Sequence, residues 1–139
     1  MDFRVRLYNE LTVESKTVRN TVFVEEQGFV DEFDETDAIA WHVVIYNGDK
    51  PLATGRVFPD SPDVYHIGRV AVIKEYRSRG VGRMVMNALE EKAKGLGAKA
   101  VTLSAQCQAE GFYTAIGYES TGEYTVEQDC PHVTMTKKL

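Results

Sequence analysis

Hydrophobic and polar positions recur along this chain with two different periods, and these periods predict its strands and helices. Residues 3–8, FRVRLY, alternate apolar and basic side chains, a pattern typical of a half-buried strand. Leu11, Val18 and Val22 then follow helical spacing. The spacing predicts a helix over roughly the stretch from Thr12 to Glu25.

The middle of the chain predicts a loop, a β-hairpin and a further strand. Residues 28–37 are acidic and are expected to form a loop. Two apolar runs, 38–47 and 50–59, flank the sequence NGDK, a strong signal for a tight hairpin turn. Residues 63–74 predict another strand, in which the run from Val70 to Ile73 indicates burial on both faces.

The second half of the chain returns to helical spacing before it ends in strands. Val81, Val85 and Leu89 mark one helix face, and Gly95 and Gly97 can end that helix. The remaining pattern predicts, in chain order, a strand at 98–105, a short helix at 107–116 with Gly117 at its C-terminal end, and two closing strands at 118–128 and 131–139.

This order of elements predicts the architecture. A strand–helix–strand crossover over residues 63–104 lies among strands that otherwise pair as antiparallel neighbours. We therefore expect an α/β fold built on a mixed, mostly antiparallel twisted sheet with helices on both faces. The length of 139 residues fits one domain over residues 1–139.

Composition and charge narrow the classes of function. Hydrophobic residues make up 43% and charged residues 27%, as in a globular protein, and the net charge is −5. An acidic chain argues against general nucleic-acid binding, and no apolar run approaches the length of a membrane span. The N-terminus has no signal-peptide core, and two cysteines, Cys107 and Cys130, make no disulfide framework. We expect a cytoplasmic location.

The sequence RSRGVGR joins the 63–74 strand to the following helix and predicts an anion site. Gly80 and Gly82 would let phosphate oxygens reach the free N–H groups of the first helical turn, and arginine would add charge-assisted hydrogen bonds. A Walker A loop is excluded because no Lys-Ser/Thr pair follows the second glycine. A dinucleotide-binding fingerprint is excluded because Val85 stands where that motif has its third glycine. A glycine-rich turn with solvated arginines remains the structural alternative.

Two motifs together resemble the GNAT superfamily of N-acetyltransferases. The first is the R-x-x-G-x-G turn at 77–82, and the second is QCQAEGFYTAIGY at 106–118, which is similar to the family's Asn-x-x-Ala-x-x-x-Tyr helix ending in Gly-aromatic. Gln106 stands where the family often has asparagine. Residues 18–38 and the PHVTM sequence at 131–135 resemble a bacterial branch of uncharacterised acetyltransferases, the YjcF/ElaA-like branch.

The resemblance implies a GNAT-like acyl-CoA N-acyltransferase fold and acetyl-CoA as cosubstrate, with no metal. It implies transfer of an acetyl group to a primary amine of a small molecule or protein, by direct attack on the thioester. It also implies that one strand pairs with pantetheine, that an amide near Val72 stabilises the oxyanion, and that the glycine turn binds the diphosphate. The residues implied in acetyl-CoA binding are Val70, Ala71, Val72, Arg77, Ser78, Arg79, Gly80, Val81, Gly82, Arg83 and Gln106.

The resemblance also places an acid at Tyr113, since a tyrosine stays protonated at neutral pH and can donate to the departing thiolate. A buried core tyrosine with its hydroxyl bonded to a carbonyl is the alternative. Glu26 is the candidate base; Asp34 and Asp37 follow it in a cluster that favours a cationic acceptor or is a solvated acidic loop. The histidines, His42, His66 and His132, are further options by chemistry alone.

Other functions and roles stay open. The same fold can serve as a non-catalytic acyl-CoA-binding sensor or interaction module, and the glycine turn alone would also fit an unrelated anion-binding domain.

The exposed edge strands of such a sheet also leave a homodimer open. Cys107 and Cys130 are expected to pack as small hydrophobic residues, and Phe23 and Trp41 as core.

Overall fold

The computed structural model describes residues 2–29 and 33–139. Seven strands lie within these ranges: β1 Phe3–Tyr8, β2 Trp41–Asn47, β3 Lys50–Ser61, β4 Val64–Val72, β5 Ala100–Gln106, β6 Glu119–Glu127 and β7 Cys130–Lys138. The α-helices are α1 Val13–Arg19, α2 Val81–Gly95 and α3 Glu110–Ala115. A π-helix over Asn20–Glu26 continues α1, and short 3-10 turns lie at Glu35–Ala38, Lys74–Tyr76 and Cys107–Ala109.

The described strands form one sheet in the order β1-β2-β3-β4-β5-β7-β6. Every neighbouring pair is antiparallel except β4 and β5, which are parallel and joined by α2. The predicted mixed, mostly antiparallel sheet is therefore confirmed. The hairpin is confirmed as well, because β2 ends at Asn47 and β3 begins at Lys50. Across the described ranges, no helix combines the length and apolar composition needed to span a bilayer.

Helices cover both faces of the sheet, as the sequence predicts. On one face, α2 approaches β3 so closely that a Cβ at Gly55 would lie 2.8 Å from the side chains of both Val85 and Leu89. On the other face, the hydroxyls of Ser15 on α1 and Thr54 on β3 lie 2.7 Å apart in a buried hydrogen bond. Because successive residues of a strand point to opposite faces, β3 contributes to both cores.

The first helix extends as predicted, but its second half has a different hydrogen-bond pattern. Thr12 caps the helix, accepting a 3.1 Å hydrogen bond from the Ser15 amide, and α1 begins at Val13. From Asn20 the chain winds as a π-helix, where the Thr21 hydroxyl donates to the Thr17 carbonyl. Such wider turns are rare and often occur at functional sites. The segment ends beside the site described below.

A buried ion-pair network ties this helix to the sheet. The Asp37 carboxylate accepts hydrogen bonds of 2.7 Å from Arg19 and 2.9 Å from Arg56, and all three side chains are at most 7% exposed. Asp34 accepts from the same Arg56 at 2.7 Å. The sequence predicted an acidic loop over 28–37. Its last residues instead enter a 3-10 turn at Glu35–Ala38, and residues 30–32 lie outside the described part.

Candidate functional site

The parallel strands β4 and β5 pair over only part of their length. Their register runs from Val64 opposite Ala100 to Ile67 opposite Leu103, and both strands continue beyond it. Arg69 adopts a left-handed backbone conformation at φ 52° just after the last pair. Such a residue inserted in a strand bends it and breaks its pairing. The backbone of residues 70–72 therefore faces an opening between two strands.

This opening is a cleft of about 820 Å³. One wall comes from the end of β4 and the turn before α2, and the other from β5, α3 and the start of β7. The predicted acetyl-CoA-binding residues that line the cleft are Val70, Ala71, Val72, Arg77, Ser78, Gly80, Gly82, Arg83 and Gln106. Arg79 and Val81 do not line it. Arg79 instead lies over the ring of Tyr76, 5.3 Å from the ring centre, and Val81 is buried in the core.

The glycine turn places a helix N-terminus at the cleft. Ser78 and Gly80 have φ angles of 64° and 79°, so the backbone curls in the left-handed region immediately before α2. Gly80 occupies the N-cap of α2 and offers no side chain to cap the first N–H groups. Those unpaired N–H groups and the dipole of this 15-residue helix favour an anion at this end of the cleft.

Gly82 has a packing reason to be glycine that the sequence did not reveal. A Cβ at this position would lie 3.1 and 3.3 Å from ring atoms of Phe112 on α3. Since Phe112 and Gly82 both line the cleft, a larger residue at 82 would push the aromatic ring and narrow the opening.

We therefore expect Gly82→Ala to weaken coenzyme A binding about 10-fold while the protein stays folded, the equivalent of about 1.4 kcal/mol. Isothermal calorimetry measures the dissociation constant. Gly95→Ala is the matched control, because it lies in the same helix and a Cβ there meets nothing within 4 Å. Equal affinity in the two variants would contradict a role for the Gly82 contact.

Glu26, the base suggested by the sequence, lies in a bidentate ion pair. Its two carboxylate oxygens accept hydrogen bonds of 2.8 and 2.7 Å from Arg77, whose Nε also donates to the Val72 carbonyl at 3.0 Å. The hydrogen bond from Arg77 lowers the pKa of Glu26 below its usual value. Because a lower pKa makes a carboxylate a weaker base, this environment favours a positioning role for Glu26 over proton abstraction.

The carboxylates Asp34 and Asp37, which the sequence suggested could attract a cationic acceptor, are hydrogen-bonded to arginines instead. Asp34 accepts hydrogen bonds from Arg56 and, at 3.3 Å, from Arg69, and the pKa of Asp34 is lowered by the Arg56 bond. Asp37 is held by Arg19 and Arg56. Both carboxylates therefore neutralise arginines of the fold. The sequence could not reveal these pairs, because the partners lie on separate elements of the chain.

Tyr113 is the residue that the resemblance implies as the acid. It lines the cleft, is 9% exposed, and burial raises its pKa to about 12. The hydroxyl therefore stays protonated at neutral pH and can donate. Within the described ranges it makes no hydrogen bond, so the alternative of a core tyrosine bonded to a carbonyl is not observed.

A second buried network holds the ring of Tyr113 in place. The ring of Tyr118 packs edge-on against it, with centroids 5.8 Å apart. The Tyr118 hydroxyl donates to Glu90 at 2.8 Å, and Lys137 donates to the other oxygen of that carboxylate at 2.9 Å. These bonds connect α2, β7 and the segment between α3 and β6. They restrict where the Tyr113 hydroxyl can lie.

Two of the three histidines line the cleft. His66 on β4 packs its ring against Phe58, and burial lowers its pKa. His132 on β7 stands opposite Gln106 of β5. His42 does not line the cleft; it is fully buried, and its Nε2 lies 3.0 Å from the Asp37 carbonyl. The two lining histidines share the cleft with Glu127, a carboxylate that the sequence reasoning missed.

The side chain of Gln106 is engaged within the protein. Its amide nitrogen donates to the Gln27 carbonyl oxygen at 2.9 Å, and its own oxygen accepts from Gln108. Gln106 thereby connects the end of β5 with the end of the π-helix. Both cysteines are free thiols of intermediate exposure.

The chain is similar in sequence to known acetyltransferases. The family model described as an acetyltransferase (GNAT) domain matches residues 8–139. The uncharacterised N-acetyltransferase YjcF of Bacillus subtilis is 40% identical over 124 residues, which cover 86% of this chain and 87% of YjcF.

Solved structures agree with the family comparison. A candidate N-acetyltransferase from Lactobacillus plantarum is 31% identical, with a TM-score of 0.90 over 99% of this chain and 98% of its own. Escherichia coli ElaA is 27% identical, with a TM-score of 0.83 over 98% of each chain. The resemblance inferred from the two motifs, and the fold that it implied, are confirmed.

Proposed function

This chain belongs to the GNAT acetyltransferase family, and on that basis we propose that it transfers the acetyl group of acetyl-CoA to a primary amine. The observation that carries the proposal is the cleft between β4 and β5, into which the glycine turn and Tyr113 both open. A GNAT acetyltransferase of Elizabethkingia anophelis with acetyl-CoA bound has the same fold, with a TM-score of 0.77 at 13% identity.

In the proposed complex, the diphosphate of acetyl-CoA binds at the N-terminus of α2. The N–H groups after Gly80 and the side chains of Ser78 and Arg83 supply donors there. Arg77 contributes its backbone and holds the turn against β4 through Val72 and Glu26. Pantetheine extends along the unpaired edge of β4, like an added strand.

In the proposed reaction, three groups act on the thioester: the amine of the acceptor, a backbone N–H near Val72 and the hydroxyl of Tyr113. The free amine attacks the carbonyl carbon, a C–N bond forms, and a backbone N–H near Val72 stabilises the charge on the carbonyl oxygen. The C–S bond breaks, and the Tyr113 hydroxyl gives its proton to the departing thiolate. The phenolate recovers a proton from the nitrogen of the new amide. Amine and acetyl-CoA thus become the acetamide and coenzyme A.

An assay with a panel of amines tests this function. Release of free thiol from acetyl-CoA is expected to rise with at least one amine, and mass spectrometry should find the matching acetamide. Propylamine, an amino sugar, a polyamine, an amino acid and a lysine peptide cover the acceptor classes. Binding of acetyl-CoA without transfer to any of them would favour the alternative, an acyl-CoA-binding sensor on the same fold.

A further inference from the structure

Glu127 brings a negative charge into the cleft from the edge of the sheet. It lies on β6, the outermost strand, beyond the residue that pairs with His132. Its carboxylate reaches across β7 to β5, where it accepts a 3.1 Å hydrogen bond from the Ser104 hydroxyl. The same oxygen, Oε2, lies 3.5 Å from Nδ1 of His132. The side chain of Glu127 remains 57% exposed, so a solute in the cleft can contact it.

The surroundings of His132 fix which ring nitrogen can act as a base. Nδ1 lies 2.8 Å from the Cys130 carbonyl, and a carbonyl oxygen only accepts, so the proton of the neutral ring is on Nδ1. Nε2 then carries the lone pair. Within the described residues, no hydrogen bond occupies Nε2, and the side chain keeps 11% exposure in the cleft. When Nε2 takes a proton, the imidazolium charge faces Glu127.

Glu127 is the only carboxylate among the described residues that line the cleft. Three other carboxylates lie outside this lining: Glu26 pairs with Arg77, Asp34 pairs with Arg56, and Asp37 is buried. Glu127 instead pairs with a neutral hydroxyl and a histidine. A protonated amine entering the cleft would therefore find its complementary charge at Glu127.

We propose that the acceptor is an alkylammonium ion that docks on Glu127 and gives its proton to Nε2 of His132. This inference rests on the proposed function, and it names the base and the charge of the acceptor. The ammonium loses one proton to His132, which releases it to solvent after the reaction. The neutral amine keeps its lone pair for the carbonyl carbon. Glu127 acts as a positioning residue that holds the cation and the imidazolium.

The charged and titratable groups around His132 lie on several elements. Glu127 comes from β6, Cys130 from β7 and Cys107 from the 3-10 turn after β5. His66 and Arg56 lie on the β4 side of the cleft. His66 is thus the competing base. An experiment has to report on the two histidines separately.

Nuclear magnetic resonance of the full chain, labelled with ¹⁵N-histidine and saturated with free coenzyme A, makes this distinction. Titration with propylammonium chloride is expected to shift the His132 ring resonances in a saturable way, and neutral 1-propanol is not. Glu127→Gln should weaken propylammonium binding about 5-fold, the effect of a partly exposed ion pair. Glu123→Gln removes an exposed carboxylate of the same strand and should leave it unchanged.

Kinetics with propylamine as acceptor give the second readout. His132→Gln should lower kcat/KM about 10²-fold at neutral pH, and this loss should shrink as the pH rises and more propylamine is already unprotonated, because the variant has no base to deprotonate the ammonium. An unchanged affinity for acetyl-CoA shows that this variant is folded. His66→Gln should show no loss of kcat/KM that shrinks in this way as the pH rises.

The outcomes separate this inference from the function on which it rests. Protein that binds no coenzyme A would overturn both. Protein that binds coenzyme A, but in which propylammonium shifts His66 or neither histidine, would overturn the assignment of His132 alone. A loss of kcat/KM in His132→Gln that is equal at every pH would do the same.

Discussion

Replacing Tyr113 by phenylalanine is expected to lower kcat about 10³-fold while the dissociation constant of acetyl-CoA stays the same. The hydroxyl is protonated at neutral pH, because burial raises its pKa to about 12, and it makes no hydrogen bond within the described residues. Its removal therefore takes away the proton for the leaving thiolate without disturbing a structural bond. Steady-state kinetics and calorimetry measure the two quantities.

Tyr124→Phe serves as the matched control for this experiment. Tyr124 lies on β6, is 63% exposed and does not line the cleft, so both kcat and affinity should match the wild type. Full turnover by Tyr113→Phe would remove the acid role. A parallel loss of affinity and kcat would instead indicate that the variant disturbs the packing against Phe112 and Tyr118.

Replacing Asp37 by alanine is expected to lower the free energy of unfolding by about 3–5 kcal/mol, because two buried arginines lose their common partner. Arg19 and Arg56 have side chains only 1% and 6% exposed, and both donate to Asp37. Urea denaturation measures the change. The control is Asp63→Ala, whose carboxylate is 62% exposed and 3.9 Å from Lys99; its loss should cost less than about 1 kcal/mol.

The same carboxylate predicts how stability depends on pH. Burial acts to raise the pKa of Asp37, but the hydrogen bonds and charge of Arg19 outweigh it and lower the pKa to about 2. The unfolded chain titrates near pH 3.9. The contribution of Asp37 is therefore fully present above about pH 4 and is lost as the pH falls towards 2. Between these values, Asp37→Ala should lose less stability than the wild type; an equal loss in both proteins would contradict the assignment.

The fold could be predicted well because its signals are local. The NGDK turn and the apolar runs on either side fixed the β2–β3 hairpin, and the helical spacing from Val81 fixed α2. The π-helix at Asn20–Glu26 could not be predicted, since Val18 and Val22 fit an α-helix and its wider continuation equally well. Hydrogen-bond partners, rather than apolar spacing, distinguish the two.

The candidate site could be predicted in part, because glycine and arginine before a helix indicate an anion site by residue type alone. The pairing of acidic residues could not, since it depends on elements far apart in sequence: Glu26 with Arg77, and Asp37 with Arg56. Glu127 gave no signal because it belongs to an exposed strand of ordinary polar sequence. The strand order, in which β7 lies between β5 and β6, brings Glu127 to the cleft.

The central claim is that the gap between β4 and β5 holds acetyl-CoA with its diphosphate at the glycine turn. Calorimetric titration of the folded protein with coenzyme A tests it most directly. We predict saturable heat with one binding site per chain, and weaker affinity in Gly82→Ala than in Gly95→Ala. Absence of any saturable heat from protein whose folding is confirmed by circular dichroism would contradict the account.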